Sequence, residues 1–402
     1  MKKNYRFFKG FLSGWAFMLL IGAAALAMRT KIQGSASENT DGEAAVTQEH
    51  VNKLAELEMM IDAYNLEEAD KKKMTDYMYK GLIAGLEDPY AAYYTEEELN
   101  SVQQSLEGSY KGIGVLMTQN YETNEIKVLR CYEGAPAENS GLMPDDILLK
   151  VNGQDTAEMS LNEVVAIIQQ GEEDMISLTV AREGEKEPLT FSMEREKVEV
   201  PTVNAQMMED EIGYIQITEF DSVTVSQFSD ALKKLEEEGM EKLIVDVRNN
   251  PGGMLTSVCE ILDQMLPEGL MVYTEDKEGN RSEYSSDEEH QFTKPLAVLV
   301  NENSASASEI FAGAIQDYDL GTIVGTTTYG KGIVQTTYIL EDGSALKLTT
   351  AKYYTPGGND IHEKGITPDV AVESDESVQT PGAAEKESDI QLEKAIEILN
   401  EN

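Results

Sequence analysis

Three serines alternate with alanines in one short stretch of the sequence, Ser304-Ala305-Ser306-Ala307-Ser308-Glu309. An apolar run precedes the stretch and a helical pattern follows it, so the serines lie at a strand-to-helix junction. Small side chains leave a hydroxyl accessible there, and N–H groups at a helix N-terminus can stabilise a developing anion. The pattern predicts a serine nucleophile, although serine and alanine also suit an ordinary helix cap.

A serine nucleophile needs a base, and the three histidines are scattered at His50, His290 and His362. The alternative is Lys331, in Tyr329-Gly330-Lys331-Gly332. At a pKa near 10.4, only about one lysine in a few thousand is neutral at pH 7. Lowering that pKa to about 7 or 8 takes on the order of 4 kcal/mol of desolvation or like-charge repulsion. A solvated loop lysine is the competing interpretation.

The residues around Lys331 suit a lowered pKa. No acidic residue lies between Asp319 and Glu341, which is unusual in a chain with 74 Asp and Glu. Gln335 follows Lys331 by an even offset of four, so on an extended strand its amide would face the same side and could hold the amine. His362 is expected to be a loop residue without a catalytic role.

The 402-residue chain has a formal net charge of −42. Such a body repels nucleic acid, so we expect no nucleic-acid partner. Cys131 and Cys259 lie far apart and no HExxH motif occurs, which excludes a disulfide framework and the commonest zinc hydrolases. We expect neither a metal nor another cofactor.

Strands and helices alternate after residue 200. Strands are predicted at residues 212–220, 243–247 and 296–300, and helices at 225–238 and 310–317. This alternation indicates an α/β core. The serine stretch and Arg248-Asn249-Asn250-Pro251-Gly252-Gly253 both follow predicted strands, where loops carry function.

Short strands and glycine turns fill residues 99–196, which we predict to form a separate β-rich domain. Its run Gly134-Ala135-Pro136-Ala137-Glu138-Asn139-Ser140-Gly141-Leu142-Met143-Pro144-Asp145-Asp146 resembles the signature of a PDZ domain. Such a module adds a peptide as an extra strand and holds its terminal carboxylate on backbone N–H groups. The candidate peptide-binding residues are Gly112, Ile113, Gly114 and Val115. An unused groove is the alternative.

The N-terminus predicts a single membrane anchor. Four cations precede an uncharged run of nineteen residues, 10–28, which would span about 28 Å as a helix. The positive-inside rule places the tip in the cytoplasm and the body outside it. Residues 1–31 are therefore the tip and anchor, and 32–46 a linker. A cleaved signal peptide at Ala25-Leu26-Ala27 is the alternative.

Two amphipathic helices are predicted in the region 47–98, and they are also candidates for a homodimer contact. Asp88-Pro89-Tyr90 ends the second helix. At the other end, residues 374–402 combine an acidic linker with a short helix that we expect to pack on the body.

Taken together, these motifs resemble the C-terminal processing peptidases, or tail-specific proteases, of family S41. The resemblance covers nearly the whole chain and includes Asp88-Pro89-Tyr90, the PDZ run, the Arg248–Gly253 loop, and Lys331 twenty-five residues after Ser306. It implies a crotonase/ClpP-like α/β protease core at 197–373, with the PDZ domain inserted before it.

The resemblance also implies roles for individual residues. Ser306 becomes the nucleophile, Lys331 its general base, and Gln335 the residue that orients the lysine. The oxyanion hole would use the N–H of Ala307 and that of Gly252 or Gly253, between which the sequence does not decide. Ser304 and Ser308 become packing or capping residues, and Glu309 favours the positive end of the helix.

The implied function is that of a membrane-anchored, extracytoplasmic serine endopeptidase acting on proteins or peptides with apolar C-termini. One departure is the acidic stretch Gln169-Gln170-Gly171-Glu172-Glu173-Asp174, where relatives carry an arginine. An arginine-based activation switch there is doubtful, and the acidity disfavours acidic substrate tails. The rival functions are a noncatalytic PDZ scaffold at the membrane and an acyl-group enzyme on a crotonase-like core.

Overall fold

The computed structural model describes residues 45–170, 174–287, 289–373 and 389–401. The predicted anchor at 10–28 lies outside these residues. Within the described part of the chain, no helix combines the length and apolar character needed to cross a membrane. The described residues divide into two compact units, with the boundary between Thr75 and Asp76.

The two predicted N-terminal helices are present. Helix α1 (Gln48–Tyr64) begins after Thr47, whose side chain accepts the N–H of His50, and α2 spans Lys71–Ala84. Neither helix has a buried residue. In α1 the predicted apolar face is exposed, at Val51, Leu54 and Leu57. Amphipathic helices normally bury such a face against other parts of a protein.

The first part of the larger unit leads into the predicted PDZ domain. It comprises strand β1 (Ala92–Tyr94), helix α3 (Glu96–Glu107) and strand β2 (Ser109–Gly112). Thr95 and Glu98 form a reciprocal capping box that begins α3, and Gly108 ends it in the left-handed conformation.

The PDZ domain is a six-stranded antiparallel sheet closed by two helices. The elements are β3 (Val115–Gln119), β4 (Ile126–Cys131), α4 (Pro136–Asn139), β5 (Ile147–Val151), β6 (Gln154–Asp155), α5 (Leu161–Gln170), β7 (Met175–Ala181) and β8 (Leu189–Glu194). The sheet order is β3-β4-β5-β7-β8, and β6 pairs with β5. Alternate residues of β7 are buried, as expected for a sheet with one face on a core. Fully buried Asp146 binds Arg182 through two 2.7 Å hydrogen bonds.

A second sheet of six strands forms the α/β core and confirms the predicted fold class. Its strands are β10 (Val203–Met207), β11 (Ile212–Ile217), β12 (Lys242–Asp246), β15 (Leu296–Val300), β16 (Thr322–Gly325) and β19 (Val370–Ala371), in that order. All pairs are parallel except β10–β11. Strand β9 (Glu196–Glu199) pairs with β2 and leads into this sheet.

Helices cover both faces of the core sheet. Three helices, α6 (Thr224–Glu237), α7 (Leu255–Asp263) and α8 (Ala307–Asp317), share one apolar cluster with it, and α9 (Ile390–Glu401) packs on the opposite face. Leu243 and Val245 face the first cluster and Ile244 faces the second, which is the period-two alternation of a strand. Burial on both faces explains why the parallel strands are continuously apolar.

A buried ion network holds the C-terminal helix on the core. The Arg248 guanidinium donates to Asp246 and to both carboxylate oxygens of Asp389, at 2.9 and 2.8 Å. Burial alone would raise the pKa of Asp389, but the hydrogen bonds from Arg248 lower it below its usual value. Tyr214 donates to Asp246 at 2.7 Å. The predicted packing of this helix on the body is therefore confirmed, and the same network anchors the start of the glycine loop.

The third sheet carries the loop with Lys331. It is antiparallel, with strands β13 (Gly269–Asp276), β14 (Arg281–Ser286), β17 (Ile333–Ile339) and β18 (Ala345–Tyr354) in addition to β1. Because β12 and β15 are parallel neighbours, their carboxyl ends bring the glycine loop and the serine stretch together. The chain between β16 and β17 adds Lys331 to the same place.

Candidate active site

The structure distinguishes the three alternating serines by their surroundings. Ser304 is fully buried and donates to the carbonyl of Val247 at 2.8 Å, and Ser308 is fully buried and donates to that of Asn250 at 2.9 Å. Ser306 is partly exposed, and its hydroxyl donates to no group that the structure describes. Ser306 is thus the serine whose proton is available for transfer.

Ser306 has an unusual backbone conformation, with φ 55° and ψ −111°. Residues other than glycine rarely adopt a positive φ, because this backbone conformation is strained. Strained residues of this kind occur often at functional sites. Helix α8 begins at the next residue, Ala307, whose N–H donates to no described group. An accessible hydroxyl and an unused N–H therefore lie next to each other in the chain.

The glycine loop lies directly against this serine. A Cβ placed on Gly252 would come within 2.8 Å of the Cβ of Ser306, so a larger residue cannot fit there. The N–H of Gly252 already donates to the side-chain oxygen of Asn250 at 2.8 Å. The N–H of Gly253, by contrast, donates to no described group. Of the two glycines left open by the sequence, Gly253 has the free donor.

Glu309 links the serine to the lysine loop. Its side chain is completely buried. Oε2 accepts the backbone N–H groups of Ser306 and Lys331, at 2.9 and 2.8 Å, and Oε1 accepts the Thr328 hydroxyl at 2.6 Å and the N–H of Gly330 at 2.7 Å. One carboxylate thus holds both chain segments. Sequence reasoning missed this role, although a Ser-x-x-Glu capping box was a signal for part of it.

Tyr353 provides a second link between the same two segments. Its hydroxyl lies 3.1 Å from the carbonyl oxygen of Ser306 and 2.5 Å from that of Lys331. Burial, and then the nearby Glu309 carboxylate, raise the pKa of Tyr353 well above its usual value. The phenol therefore stays protonated and keeps its donor. The backbones of Ser306 and Lys331 are fixed relative to each other from both sides.

The Lys331 side chain is half-buried between aromatic and charged neighbours. Its Nζ lies 4.6 Å from the centre of the Tyr90 ring and forms no ion pair with any carboxylate of the described residues. Burial, and then repulsion from Lys347, lower the pKa of Lys331, while the Glu309 carboxylate partly opposes the shift. The direction is the one that a general base requires. The structure shows no hydrogen bond from Nζ to the Ser306 hydroxyl.

Gln335 does not take the geometry expected from its offset to Lys331. Strand β17 begins only at Ile333, and a bulge shifts its register between Val334 and Gln335. The extra residue of the bulge, Thr350, lies on β18, so β17 itself stays regular. The even-offset argument does not apply because Lys331 lies outside the strand. The Gln335 amide donates to the Thr349 hydroxyl at 3.4 Å, and no hydrogen bond joins it to Lys331.

The candidate peptide-binding turn of the PDZ domain is well ordered by backbone contacts. Ile113 is buried and its carbonyl accepts the N–H of Ala137, while the carbonyl of Gly114 accepts that of Tyr132. Gly114 has φ +69°, and a Cβ there would approach Ala135 to 2.3 Å. The turn therefore requires glycine at this position.

Strand β3 follows this turn and forms one edge of the PDZ sheet. Among the described strands it pairs only with β4, so its other edge can accept a peptide strand. Gln119, at the end of β3, accepts the N–H of Leu161 and donates to the carbonyl of Met159, which ties the strand to α5. One end of β3 is therefore fixed against the start of α5.

Comparisons with known proteins agree with this architecture. Residues 211–372 match the model of peptidase family S41, and residues 127–182 match a PDZ domain. The chain is 35% identical over 326 residues to the carboxyl-terminal-processing protease of Synechocystis sp., covering 79% of this chain and 75% of the relative. It is 34% identical over 367 residues to the carboxy-terminal processing protease CtpA of Bacillus subtilis, covering 91% and 78%.

A solved structure shows the same fold. The putative S41 protease from Bacteroides fragilis aligns with a TM-score of 0.52 at 15% identity, over 84% of this chain and 93% of that one. At that identity the likeness concerns the fold alone. The two relatives from Synechocystis and Bacillus subtilis establish the family, because the similarity extends over most of the length of each. The chain belongs to peptidase family S41, the family of the carboxyl-terminal processing proteases, and it carries a PDZ domain.

Proposed function

We propose that the chain is a serine endopeptidase that uses Ser306 as its nucleophile and Lys331 as its general base. The observation that carries the proposal is the buried Glu309 carboxylate, which accepts the backbone N–H groups of both residues. The lowered pKa of Lys331, caused first by burial, supports the role of base. A noncatalytic scaffold has no use for such an arrangement.

The proposed reaction is acyl transfer through an ester of Ser306. Lys331 takes the hydroxyl proton as Ser306 attacks a peptide carbonyl, and it returns the proton to the leaving amine. The free N–H groups of Ala307 and Gly253 stabilise the oxyanion. Water then releases the acyl group. No hydrogen bond joins Nζ to the hydroxyl in the substrate-free chain, and catalytic hydrogen bonds of this kind often tighten only when substrate binds.

We assign substrate capture to the PDZ domain. The open edge of β3 and the glycine turn before it support a peptide strand with its C-terminal carboxylate at the turn. Apolar C-termini fit this proposal best, since the acidic body repels acidic tails. Gln335 keeps a proposed supporting role, which it exercises through Thr349 rather than by direct contact with the base.

The location and assembly of the protein are also proposals. The uncharged run at 10–28 and the four cations before it support a single-pass membrane anchor with the catalytic body outside the cytoplasm. The exposed apolar face of α1 supports a homodimer contact.

The proposed function is tested by incubating the full-length protein in detergent with a loosely folded protein ending in apolar residues. A matched substrate differs only by two aspartates at its C-terminus. Mass spectrometry of the fragments is expected to show cleavage of the first substrate and slower cleavage of the second. Binding of the first substrate without cleavage would favour the PDZ scaffold, and equal cleavage rates would contradict the preference for apolar tails.

Activity is expected to rise with pH through the pKa of Lys331, because only the neutral amine accepts a proton. Burial and the neighbouring Lys347 lower that pKa, so the midpoint of kcat/KM against pH should lie below 10.5. Lys347→Gln removes a cation and should move the midpoint upward. Lys352→Gln, at an exposed position of the same strand, should leave it in place. A profile with no acid limb would contradict the role of Lys331.

A further inference from the structure

Tyr90 contacts the loop that carries the base. The face of its ring lies 4.6 Å from Nζ of Lys331. Burial, and then the Tyr329 hydroxyl, two residues before that lysine, raise the pKa of Tyr90. Tyr90 lies 241 residues earlier in the chain, in a turn that none of the proposed steps of the reaction uses. The question is what this turn contributes to the site.

The turn is anchored on the sheet beside the lysine. Oδ1 of Asp88 accepts the N–H of Tyr90 at 2.9 Å. Although burial alone would raise it, the hydrogen bonds from that N–H and from the Thr349 hydroxyl lower the pKa of Asp88, so this group is a carboxylate. Thr349 lies on β18 and also receives the Gln335 amide. A continuous set of contacts therefore runs from Gln335 through Thr349 and Asp88 to Tyr90 and the base.

Few polar groups face the Lys331 amine. Lys347 on β18 repels it and Glu309 on α8 attracts it, while the Tyr353 hydroxyl is occupied with backbone carbonyls. No carboxylate of the described residues lies within 4.0 Å of Nζ. The Tyr90 ring covers one side of the amine, at 4.6 Å from Nζ to the ring centre.

We propose that Tyr90 is a positioning residue that holds Lys331 in place and keeps water from its amine, an inference that rests on the proposed function. The ring has two opposite effects on protonation. Its cation–π attraction favours the ammonium form by about two- to fivefold at a partly exposed site. Burial favours the neutral amine, by up to about 3–5 pKa units when it is complete. The second effect dominates, since burial is the largest cause of the lowered pKa.

The test compares pH profiles of kcat/KM for the full-length protein and its variants. Tyr90→Ala opens the amine to water, so the acid limb should move up by about one pH unit, with about tenfold lower kcat/KM at neutral pH and recovery at higher pH. Tyr90→Gln keeps part of the side-chain volume, offers the ammonium a carbonyl oxygen, and should shift the limb in the same direction. Tyr90→Phe keeps the ring and should match the parent.

Tyr273→Ala is the matched control, because it removes a ring of the same sheet that lies 3.6 Å from another cation, the Arg281 guanidinium. This variant should lose packing similar to that lost in Tyr90→Ala, but the acid limb of its kcat/KM profile should stay where it is in the parent. If neither the Ala nor the Gln variant of Tyr90 moves the acid limb, or if activity rises, the inference is wrong. A parallel Lys331→Ala variant separates the two hypotheses: if it cleaves like the parent, the proposed function itself fails.

Discussion

Replacing Ser306 by alanine is expected to reduce kcat for peptide cleavage by a factor on the order of 10⁴ or more, and replacing Lys331 by methionine should cost about as much. Each change removes one partner of the same proton transfer, so the double variant should be no slower than the slower single variant. Cleavage of the apolar-tailed protein, followed by mass spectrometry, measures all three. The fold should be unaffected, because neither side chain holds the segments together.

Ser308→Ala is the control for this experiment. It removes a neighbouring hydroxyl that only donates to the Asn250 carbonyl, so we expect a loss of about 1 kcal/mol in stability and most of the activity retained. If Ser306→Ala kept cleaving while Ser308→Ala did not, the nucleophile would be misassigned. Additive losses in the double variant would indicate that Ser306 and Lys331 act in separate steps.

Glu309→Gln is expected to cost both stability and activity. The carboxylate accepts four hydrogen bonds in a fully buried place. The glutamine amide has only one oxygen, and its NH₂ group faces two of the four donors. Each of those two donors then lacks an acceptor, which costs about 1–3 kcal/mol of stability. We therefore expect the free energy of unfolding to fall by about 2–5 kcal/mol in urea titrations. Activity should fall at temperatures where the variant is folded, because the serine and lysine segments lose their common anchor.

The matched control is Glu302→Gln, the same substitution seven residues earlier, in the loop before α8. Glu302 is exposed and accepts only the Thr326 hydroxyl, so its replacement should change stability by less than about 0.5 kcal/mol. Equal effects of the two substitutions would show that Glu309 is an ordinary helix cap. A Glu309→Gln variant that is less stable but fully active when folded would show that Glu309 stabilises the fold and is not needed to align Ser306 with Lys331.

The features that the sequence predicts well are local ones. The alternation of strand and helix, the free serine at a helix start and the glycine turn of the PDZ domain depend on neighbouring residues. Even so, boundaries shifted: the strand expected at 212–220 ends at Ile217, and the helix expected from 310 begins at Ala307. Hydrogen bonding, rather than apolar pattern, decides where these elements end.

The features that the sequence could not show depend on distant segments meeting. Nothing near Glu309 reveals that the loop at 328–331 delivers three more donors to it. The pairing of Gln335 with Thr349 depends on β18 and has no signature in the sequence around Gln335. The contact of Tyr90 with Lys331 depends on the third sheet, in which β1 pairs with β18. Family resemblance supplied the proposed nucleophile and base, and the structure supplied the groups around them.

The strained backbone of Ser306 implies a trade-off at this position between durability and activity. Holding φ at 55° costs a non-glycine residue about 1–3 kcal/mol, which the surrounding fold must offset. Glycine would adopt the same angle freely, at the expense of a more disordered unfolded chain. A selection for heat resistance alone would therefore favour glycine here, and under the proposed function its product would be an inert protein. On that proposal, the strain at Ser306 is stability that the fold gives up in order to carry a nucleophilic hydroxyl at this position.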